Sequence, residues 1–491
     1  MFRKIFLYII TLLTAFQCPP CQGDIQDCIF RQYDIRGTFG SEIDIDEVYD
    51  LSRAIAFYLL HKNPSTKKIA IGMDGRLSSP AIKEKLCEGL QDSGIDVLWI
   101  GLCTSPILYF TTHTTDVDGG IMITASHNPK DDNGLKISLG LEPIWGDQLQ
   151  ILKEMFHERK HIRTCYRGVV THYDVVSRYI DWMAEHFSHL IGKNFQAIID
   201  CGNGAAGAVM PRLIERMQWN NVSLLYGEVD GNFPNRSSDP TKAANMTGLC
   251  EALKTGDKHT IGIGFDGDGD RMVAMTNEGY LIPGDKLLGV FSKQVIENHP
   301  NASVVFDISS SSGLTELLES IGATPCMAPT GSVYIRDYMF RHQALVGGEI
   351  SCHFFFKDRN FGYDDGIYAA FRLLEIMDST SKNLDALIAD FPKKYGTETL
   401  RMPYEEDKKQ LVVAAIEKYF STREDCKVLT IDGVRATFSY GWGLVRPSNT
   451  EPKLSMRFEA NTFEDLEKIK SEFTKILLEY FDEAYLKNYL S

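Results

Sequence analysis

Residues 119–137, GGIMITASHNPKDDNGLKI, join an apolar strand pattern to a polar loop that breaks it. The apolar run stops at the letters TASHNP, and the proline among them cannot donate to a continuing strand ladder. A polar loop that contains glycine follows. Two interpretations are open at this point: ordinary loop punctuation, or a loop that holds Ser126 at a site.

Strand and helix patterns alternate around this stretch. Residues 68–76 read as a strand and a turn, and residues 78–94 read as a helix with serine near its start and glycine after its end. A second strand at 96–101 and a second helix at 104–113 follow. Apolar strands that alternate with helices predict mostly parallel α/β layers.

The same pattern restarts later in the chain and then changes. Strand, glycine turn and helix recur at 195–217 and 303–322, and two strands flank a loop at 261–275. Near the C-terminus, residues 428–440 read as a hairpin with a type I′ Asp-Gly pair at its tip. Residues 462–481 read as a final helix that is capped by Thr462.

These patterns predict an α/β fold. It has three similar α/β domains with mixed, mostly parallel sheets, and a smaller C-terminal α+β domain. The length of 491 residues suits that number, at roughly 100–200 residues per domain. We predict an N-terminal extension at 1–27, followed by domains I to IV at 28–170, 171–275, 276–391 and 392–491.

The composition excludes some classes of function. A formal net charge of −15 gives the chain no general affinity for nucleic acid or for anionic membranes, which need clustered Lys and Arg. Two of the eleven cysteines, Cys18 and Cys21, lie in the N-terminal segment, and the other nine are scattered. An odd, scattered set favours free thiols in a reducing compartment.

The N-terminal segment has two interpretations. Residues 1–23 carry Arg3 and Lys4 before an apolar run at 5–16, which resembles a signal peptide. The run is short for a membrane span, and no A-x-A cleavage site follows it. The segment is therefore either a secretion signal or an upstream extension, and we expect the rest of the chain to fold and act without it.

A glycine motif at 202–207, GNGAAG, matches the dinucleotide fingerprint between a strand and a helix. It suggests an NAD-dependent oxidoreductase, with Glu228 or Asp230 as the ribose-binding acid. Tight turns between a strand and a helix recruit glycine in any case. The second interpretation, a structural turn in domain II, is the one we favour.

Three alternating aspartates, Asp266, Asp268 and Asp270, give the strongest local signal, in the letters FDGDGDR. In an extended loop they face one way, and like-charge repulsion makes such a cluster costly without a cation. All-oxygen ligands favour Mg²⁺ or Ca²⁺. An EF-hand is excluded, because its sixth position is Arg271 and its twelfth is Asn277. A solvated acidic turn is the alternative; otherwise Arg271 is placed to meet a phosphate beside the metal.

Two further segments have the chemistry to bind a phosphorylated sugar. Residues 445–454 join an Arg fork to hydroxyl and amide groups, which suits a phosphate dianion, although such a segment also makes an ordinary turn. Residues 347–356 place alternating polar side chains before an aromatic strand, where we expect them to face one way, toward sugar hydroxyls. The candidate residues are Arg446, Ser448, Asn449 and Thr450 in the first segment, and Glu349, Ser351 and His353 in the second.

Taken in order, the motifs TASHNP, FDGDGDR, GEISCH and RPSNTEP resemble those of the α-D-phosphohexomutase superfamily, in its phosphomannomutase/phosphoglucomutase branch. FRQYDIRG at 30–37 and DDGIYAAFRLLE at 364–375 extend the resemblance, which runs from about Cys28 to the C-terminus. It implies four domains around a central cleft.

The resemblance also implies roles for single residues. Ser126 matches the family's active-site phosphoserine, and its phosphate completes the Mg²⁺ site of the three aspartates. His127 and Lys136 flank this serine. The remaining matches are Tyr33 and Arg36 in the N-terminal active-site motif, Glu349, Ser351 and His353 in the sugar-recognition loop, and Arg446, Ser448, Asn449 and Thr450 in the clamp for the non-reacting phosphate.

The implied activity is the interconversion of mannose 6-phosphate and mannose 1-phosphate. It runs through a phosphoserine enzyme and a hexose 1,6-bisphosphate, with Mg²⁺ as cofactor and glucose or mannose 1,6-bisphosphate as activator. The alternatives are a phosphoglucomutase or dual-specificity enzyme, a phosphoglucosamine mutase, and a non-catalytic phosphosugar-binding protein. A cytoplasmic monomer or weak homo-oligomer is expected, since the substrates are cytosolic; secretion stays possible through the signal-like segment.

Four positions depart from the branch's usual pattern. Pro329 and Ser332 stand where a lysine and a histidine often flank Thr-Gly, which changes the expected sugar contacts. Cys352 replaces a commoner glycine, and Ala125 replaces glycine before Ser126. None of these departures touches the aspartates or the clamp.

Overall fold

The structure, a computed structural model, describes residues 27–256, 259–448 and 452–490. The signal-like segment at 1–23 and two predicted clamp residues, Asn449 and Thr450, lie outside these ranges. Within the described ranges, every helix is too short or too polar to cross a bilayer. Nine cysteines there are free thiols, as predicted for the scattered set.

Domain I is built on a seven-stranded mixed sheet. Its strands are β1 Ile35–Thr38, β2 Lys68–Met73, β3 Asp96–Leu102, β4 Gly119–Ile123, β5 Asp132–Leu139, β6 Glu142–Pro143 and β7 Val170–His172. Its helices are α1 Ile45–Lys62, α2 Ser79–Asp92, α3 Ser105–Thr114 and α4 Asp147–His157. The strand order is β1-β5-β4-β2-β3-β7, with β6 on β5, so the predicted β4 lies in the middle with both faces covered.

Domain II repeats the plan with five strands in the order β12-β11-β10-β8-β9. Its strands are β8 Ala197–Asp200, β9 Val222–Leu225, β10 Ile261–Phe265, β11 Met272–Met275 and β12 Leu281–Ile282, and its helices are α5 Val175–His186, α6 Met210–Met217 and α7 Thr247–Leu253. The parallel strands β9, β8 and β10 are extended by antiparallel pairs at the β11 side.

Domain III has four strands in the order β14-β13-β15-β16, of which the last pair is antiparallel. Its strands are β13 Ser303–Asp307, β14 Thr324–Ala328, β15 Val346–Gly348 and β16 Phe354–Phe356, and its helices are α8 Gly284–Asn298, α9 Ser312–Ser320, α10 Ser332–Arg341, α11 Gly366–Thr380 and α12 Leu384–Ile388. One continuous hydrophobic core joins domains II and III and reaches domain I through α3.

Domain IV differs, because all of its strand pairs are antiparallel. Its strands are β17 Tyr395–Gly396, β18 Leu400–Pro403, β19 Cys426–Leu429, β20 Val434–Phe438, β21 Gly441–Pro447 and β22 Lys453–Ala460, and its helices are α13 Lys409–Ser421, α14 Phe463–Leu477 and α15 Glu483–Leu490. It has its own core under α13 and α14. The predicted fold class, three α/β domains and one α+β domain, is confirmed, whereas the domain boundaries stay predictions.

The predicted hairpin at 428–440 is present, but its predicted two-residue type I′ turn is wrong. Strands β19 and β20 pair antiparallel, and residues 430–433 form a longer connection between them. Gly433 has φ +74°, and Asp432 turns toward domain III, where its Oδ2 accepts a hydrogen bond from the Thr330 N–H at 3.0 Å. The longer loop is what allows Asp432 to make this contact.

Candidate active site

The break after β4 places Ser126 at the end of a fully buried strand. Ser126 is 3% exposed, and its φ of +50° lies in the left-handed region, where residues other than glycine are uncommon. Its N–H donates to Thr124 Oγ1 at 2.8 Å. Its hydroxyl donates to Asp266 Oδ2 at 3.0 Å and lies 3.3 Å from His127 Nδ1. A side chain 140 positions away in the sequence therefore meets the loop that interrupts β4.

The loop between β10 and β11 presents the three predicted carboxylates. Oxygens of Asp266, Asp268 and Asp270 lie within 4.8 Å of one another, and all three residues are buried. The loop can approach Ser126 because residue 267 is glycine: a Cβ at Gly267 would lie 2.4 Å from the Ser126 carbonyl oxygen. The structure therefore brings the three carboxylates that the sequence singled out close to Ser126.

The cluster has the donor set of a hard-cation site. Burial, and then the neighbouring carboxylates of Asp270 and Asp268, raise the pKa of Asp266 well above its ordinary value. Among the described residues, Asp268 Oδ1 and Asp270 Oδ1 are buried without a hydrogen-bond partner. These two donor-free carboxylate oxygens, together with the neighbouring carboxylate of Asp266, are the kind of ligands that suit Mg²⁺.

Lys136 on β5 is the nearest positive charge. Its Nζ donates to Asp268 Oδ2 at 2.7 Å and to Asp270 Oδ2 at 2.6 Å. Burial alone lowers the pKa of Lys136, but the two carboxylates outweigh it and hold that pKa well above its ordinary value. The ammonium group is therefore a cation held against the acidic cluster.

Arg271 and His353 extend the site into domain III. The Arg271 Nε–H donates to His353 Nε2 at 3.0 Å, and the Arg271 backbone N–H donates to Asp266 Oδ1 at 3.1 Å. His353 Nδ1 lies 2.8 Å from Asp364 Oδ2 and 3.6 Å from Asp270 Oδ1. Burial lowers the pKa of His353, but Asp270 and Asp364 raise it above its ordinary value. Domain II and domain III charges thus form one network.

The segment at 349–353 is a turn between β15 and β16, whereas the sequence pattern indicated an extended row. The Cys352 N–H donates to the Glu349 carbonyl oxygen at 2.9 Å, and Cys352 has φ +67°. Glu349 Oε1 accepts a hydrogen bond from the Gly331 N–H at 2.7 Å, whereas His353 points to domain II. Ser351 is partly exposed. The turn therefore spreads the three predicted sugar-contacting residues over two directions.

The N-terminal motif and the clamp meet through the Thr330–Gly331 loop. The Tyr33 hydroxyl donates to the Thr330 carbonyl oxygen at 2.7 Å, and a Cβ at Gly331 would lie 2.8 Å from the Tyr33 ring. On the other side, Asp432 Oδ2 accepts from the Thr330 N–H and, at 2.8 Å, from Arg446 Nε. This relay joins domains I, III and IV at the variant loop that contains Pro329 and Ser332.

Arg36 and Ser448 lie in the two segments that the Thr330–Gly331 loop joins, the N-terminal motif and the clamp. Arg36 donates to Asn128 Oδ1 at 3.0 Å and is ion-paired with Asp34, so it lies against the Ser126 loop. The Ser448 N–H donates to the Lys453 carbonyl oxygen at 2.9 Å, and the Ser448 carbonyl oxygen accepts from Lys409 Nζ at 2.7 Å. The structure thus places Arg36 beside Ser126, and Ser448 in the clamp loop of domain IV.

Some residues at the site were missed by sequence reasoning. Asp74 and Arg76 follow β2, and both contact the Ser126 loop; Ser105 donates its hydroxyl to Asp268 Oδ2 at 2.5 Å. Asp364, within the DDGIYAAFRLLE match, is the partner of His353. Charged residues directly after β2, the parallel neighbour of β4, were the available signal for Asp74 and Arg76.

The glycine motif at 202–207 is a structural turn. It leads from β8 into a short 3-10 segment, Ala205–Ala208, before α6. The Ala205 N–H donates to the Gly267 carbonyl oxygen at 2.9 Å, and Arg236 pairs with Asp200 at the end of β8. The motif therefore supports the aspartate loop through a backbone hydrogen bond. This structural role explains the glycines without a bound dinucleotide.

Models of four phosphoglucomutase/phosphomannomutase domains match the chain in order. The alpha/beta/alpha domains I, II and III match residues 27–160, 177–279 and 283–395, and the C-terminal domain matches residues 400–476. The phosphomannomutase/phosphoglucomutase of Pseudomonas syringae pv. tomato is 39% identical over 450 residues, which cover 91% of this chain and 95% of the relative. The phosphoglucomutase of Neisseria gonorrhoeae is also 39% identical over 450 residues, at 91% and 96% coverage.

A solved structure gives the same result. The phosphoglucomutase/phosphomannomutase family protein of Burkholderia thailandensis superposes with a TM-score of 0.85 at 31% identity, covering 93% of this chain and 98% of that one. These matches, with the buried serine and the acidic cluster, define an isomerase that works as an intramolecular phosphotransferase. The chain belongs to the phosphoglucomutase/phosphomannomutase family of the α-D-phosphohexomutase superfamily.

Proposed function

We propose that the chain interconverts mannose 6-phosphate and mannose 1-phosphate, with Ser126 as the phosphate carrier. The observation that carries this proposal is the position of Ser126 Oγ. It lies 3.0 Å from Asp266 Oδ2, in the same carboxylate cluster that Lys136 contacts through Asp268. A hydroxyl held there can bear a phosphate whose negative charge is neutralised before any sugar binds.

In the proposed transfer, the bond from phosphorus to Ser126 Oγ breaks as a bond forms to the free sugar hydroxyl oxygen. The hydroxyl proton ends on Ser126 Oγ, where Asp266 accepts the resulting hydrogen bond. The other phosphate of the 1,6-bisphosphate then returns to Ser126 by the reverse step. Phosphoryl transfer of this kind depends on alignment and charge stabilisation.

Charge stabilisation falls to groups that the structure gathers around Ser126. Lys136, Arg36 and Arg271 are fixed cations at the serine loop and the aspartate loop. Asp266, Asp268 and Asp270 would hold Mg²⁺, which when bound supplies Lewis-acid stabilisation of the phosphoryl oxygens. The His127 ring lies against Ser126 Oγ and therefore limits the directions from which a sugar hydroxyl can approach the phosphate.

Sugar and distal phosphate contacts belong to domains III and IV. We assign Glu349, Ser351 and His353 to the sugar hydroxyls. The distal phosphate is assigned to the clamp, formed by Arg446 and Ser448 with Asn449 and Thr450. Tyr33 supports both regions through Thr330. The sugar intermediate must reverse between the two transfers, so a clamp on a separate domain suits either orientation.

The test is turnover of mannose 1-phosphate with Mg²⁺ and catalytic glucose 1,6-bisphosphate. We expect mannose 6-phosphate to form, and mass spectrometry of the native protein to show phosphate on Ser126. Ser126→Ala should abolish turnover, and Ser292→Ala, at another buried serine, is the matched control. Turnover by Ser126→Ala at the wild-type rate would overturn the mechanism.

Glucose phosphate is the second candidate substrate, because a relative of equal identity is a phosphoglucomutase. Parallel assays on mannose, glucose and glucosamine phosphates decide among these sugars. Inactivity on both mannose and glucose phosphate would overturn the proposal and favour a non-catalytic phosphosugar-binding protein.

A further inference from the structure

Arg76 is a buried arginine that faces the Ser126 loop from behind. Its guanidinium group is 1% exposed and donates to four carbonyl oxygens of that loop. Its Nη2 donates to the carbonyl oxygens of Ser126 and Asn128, each at 2.8 Å, and its Nη1 donates to those of Asp132, at 2.9 Å, and Pro129. One side chain therefore satisfies the backbone acceptor of the reactive serine and three acceptors of the segment that follows it.

Asp74 orients Arg76 and also reaches the serine by a second route. Asp74 Oδ2 accepts from Arg76 Nε at 3.1 Å and from Thr124 Oγ1 at 2.7 Å. Thr124 Oγ1 in turn accepts the Ser126 N–H at 2.8 Å. Both the N–H and the carbonyl of Ser126 are thus fixed by one ion pair.

This double anchor matches the backbone conformation of Ser126. A serine at φ +50° persists only where its surroundings over-determine it. Here the determinants are the Arg76 bonds to its carbonyl and the Thr124 bond to its N–H. The left-handed turn points the hydroxyl toward Asp266, as the 3.0 Å hydrogen bond records.

Domain II closes the far side of the same loop. The Arg76 guanidinium lies 5.4 Å from the centre of the Phe233 ring, and the Ser238 hydroxyl donates to the Asn128 carbonyl oxygen at 2.9 Å. Arg76 is therefore shielded from the cleft, where the sugar and its phosphates would lie. Any effect it has on the reaction must pass through the loop.

We propose that Arg76 is a positioning residue for phosphoryl transfer: it fixes the direction of the Ser126 hydroxyl without touching the substrate. The inference rests on the proposed function of Ser126. Because phosphoryl transfer requires in-line alignment, a small rotation of Ser126 slows the transfer while the clamp and the sugar contacts stay intact.

The test compares Arg76→Lys with wild type under saturating hexose phosphate. A lysine keeps the charge but has only three donors, so it cannot hold four carbonyl oxygens. We expect kcat to fall about 100-fold, as for a misplacement of about 1 Å, with KM within about 2-fold of wild type. Hydrogen exchange at the amides of residues 126–128 should also become faster, without any substrate present.

Arg372→Lys is the matched control. Arg372 is also 1% exposed and ion-paired, at 2.9 Å to Asp358, but it lies on α11 away from the serine loop. We expect Arg372→Lys to lower the melting temperature by about as much as Arg76→Lys does. Its kcat should stay near that of wild type. Arg76→Ala assayed with added guanidinium is the second variant, and partial recovery of kcat is expected.

Two results would overturn the inference. One is an Arg76→Lys variant with wild-type kcat and unchanged hydrogen exchange at residues 126–128. The other is an equal loss of kcat in Arg372→Lys at equal destabilisation. Failure of the proposed function is separate, because it appears as an inactive wild type without phosphate on Ser126, and the exchange comparison still decides whether Arg76 holds the loop.

Discussion

Glu349 is a buried carboxyl group in the turn between β15 and β16. Burial is the main reason that its pKa is raised to about 7, from 4.5 for an ordinary glutamate, although His353 and the Gly331 N–H oppose the shift. Folding therefore makes Glu349 bind a proton between pH 4.5 and pH 7. Its stabilising contribution is complete below the unfolded pKa and is lost as pH rises through the folded one.

Glu349→Gln should remove this pH dependence. A glutamine keeps an oxygen for the Gly331 N–H but does not titrate. Wild type should lose on the order of 3 kcal/mol of unfolding free energy between pH 4.5 and pH 8 that the variant does not lose. Thermal unfolding of both proteins over this range checks the difference, with the exposed Glu424→Gln as control. Parallel pH curves for wild type and Glu349→Gln would contradict the assignment.

At the scale of one element, the N-terminal cap of α14 was predicted from neighbouring residues and affects only that helix. Thr462 Oγ1 accepts the Asp465 N–H at 3.1 Å and donates to Asp465 Oδ2 at 2.8 Å, as the sequence predicted for a capped final helix. Thr462→Ala should destabilise α14 by about 1 kcal/mol. Hydrogen exchange across α14 should then be roughly fivefold faster. Thr462→Ser, which keeps the hydroxyl, should behave as wild type, and equal exchange in both variants would refute the role of the cap.

Elements with short-range signals were predictable, whereas the connections that shape the site were not. β4, α2 and α14 follow from periodicity and capping residues that lie within a few positions of one another. The turn at 349–353 depends instead on Cys352 at φ +67° and on packing against domain II, and neither is visible in an alternating polar pattern. Ser126 and the aspartates were predictable because their chemistry is unusual, while Arg76 resembled an ordinary turn residue.

At the scale of the whole molecule, the serine run at 309–312 forms the surface of domain III on which domain IV packs. Arg435 donates to the Ile308 and Ser310 carbonyl oxygens while its guanidinium lies 3.7 Å from the centre of the Trp442 ring. Arg457 donates to the Ser309 carbonyl oxygen at 2.5 Å. No sequence pattern predicts this interface, because its partners lie more than a hundred positions apart and become neighbours only when domain IV docks.

Glu459 is the acceptor at the centre of this interface, and its removal should loosen domain IV from domain III. Its Oε1 accepts from the Ser312 N–H and hydroxyl, each at 2.8 Å, and from Trp442 Nε1 at 2.9 Å. Glu459→Ala leaves these buried donors unpaired, at a cost of about 1–3 kcal/mol. Hydrogen exchange at 309–312 should become at least about fivefold faster, and KM should rise because the phosphate contact proposed for Arg446 would lose its fixed position. The control is Glu424→Ala, an exposed glutamate of the same domain, which should change neither quantity. Unchanged exchange at 309–312 in Glu459→Ala would mean that the arginines alone hold the two domains together.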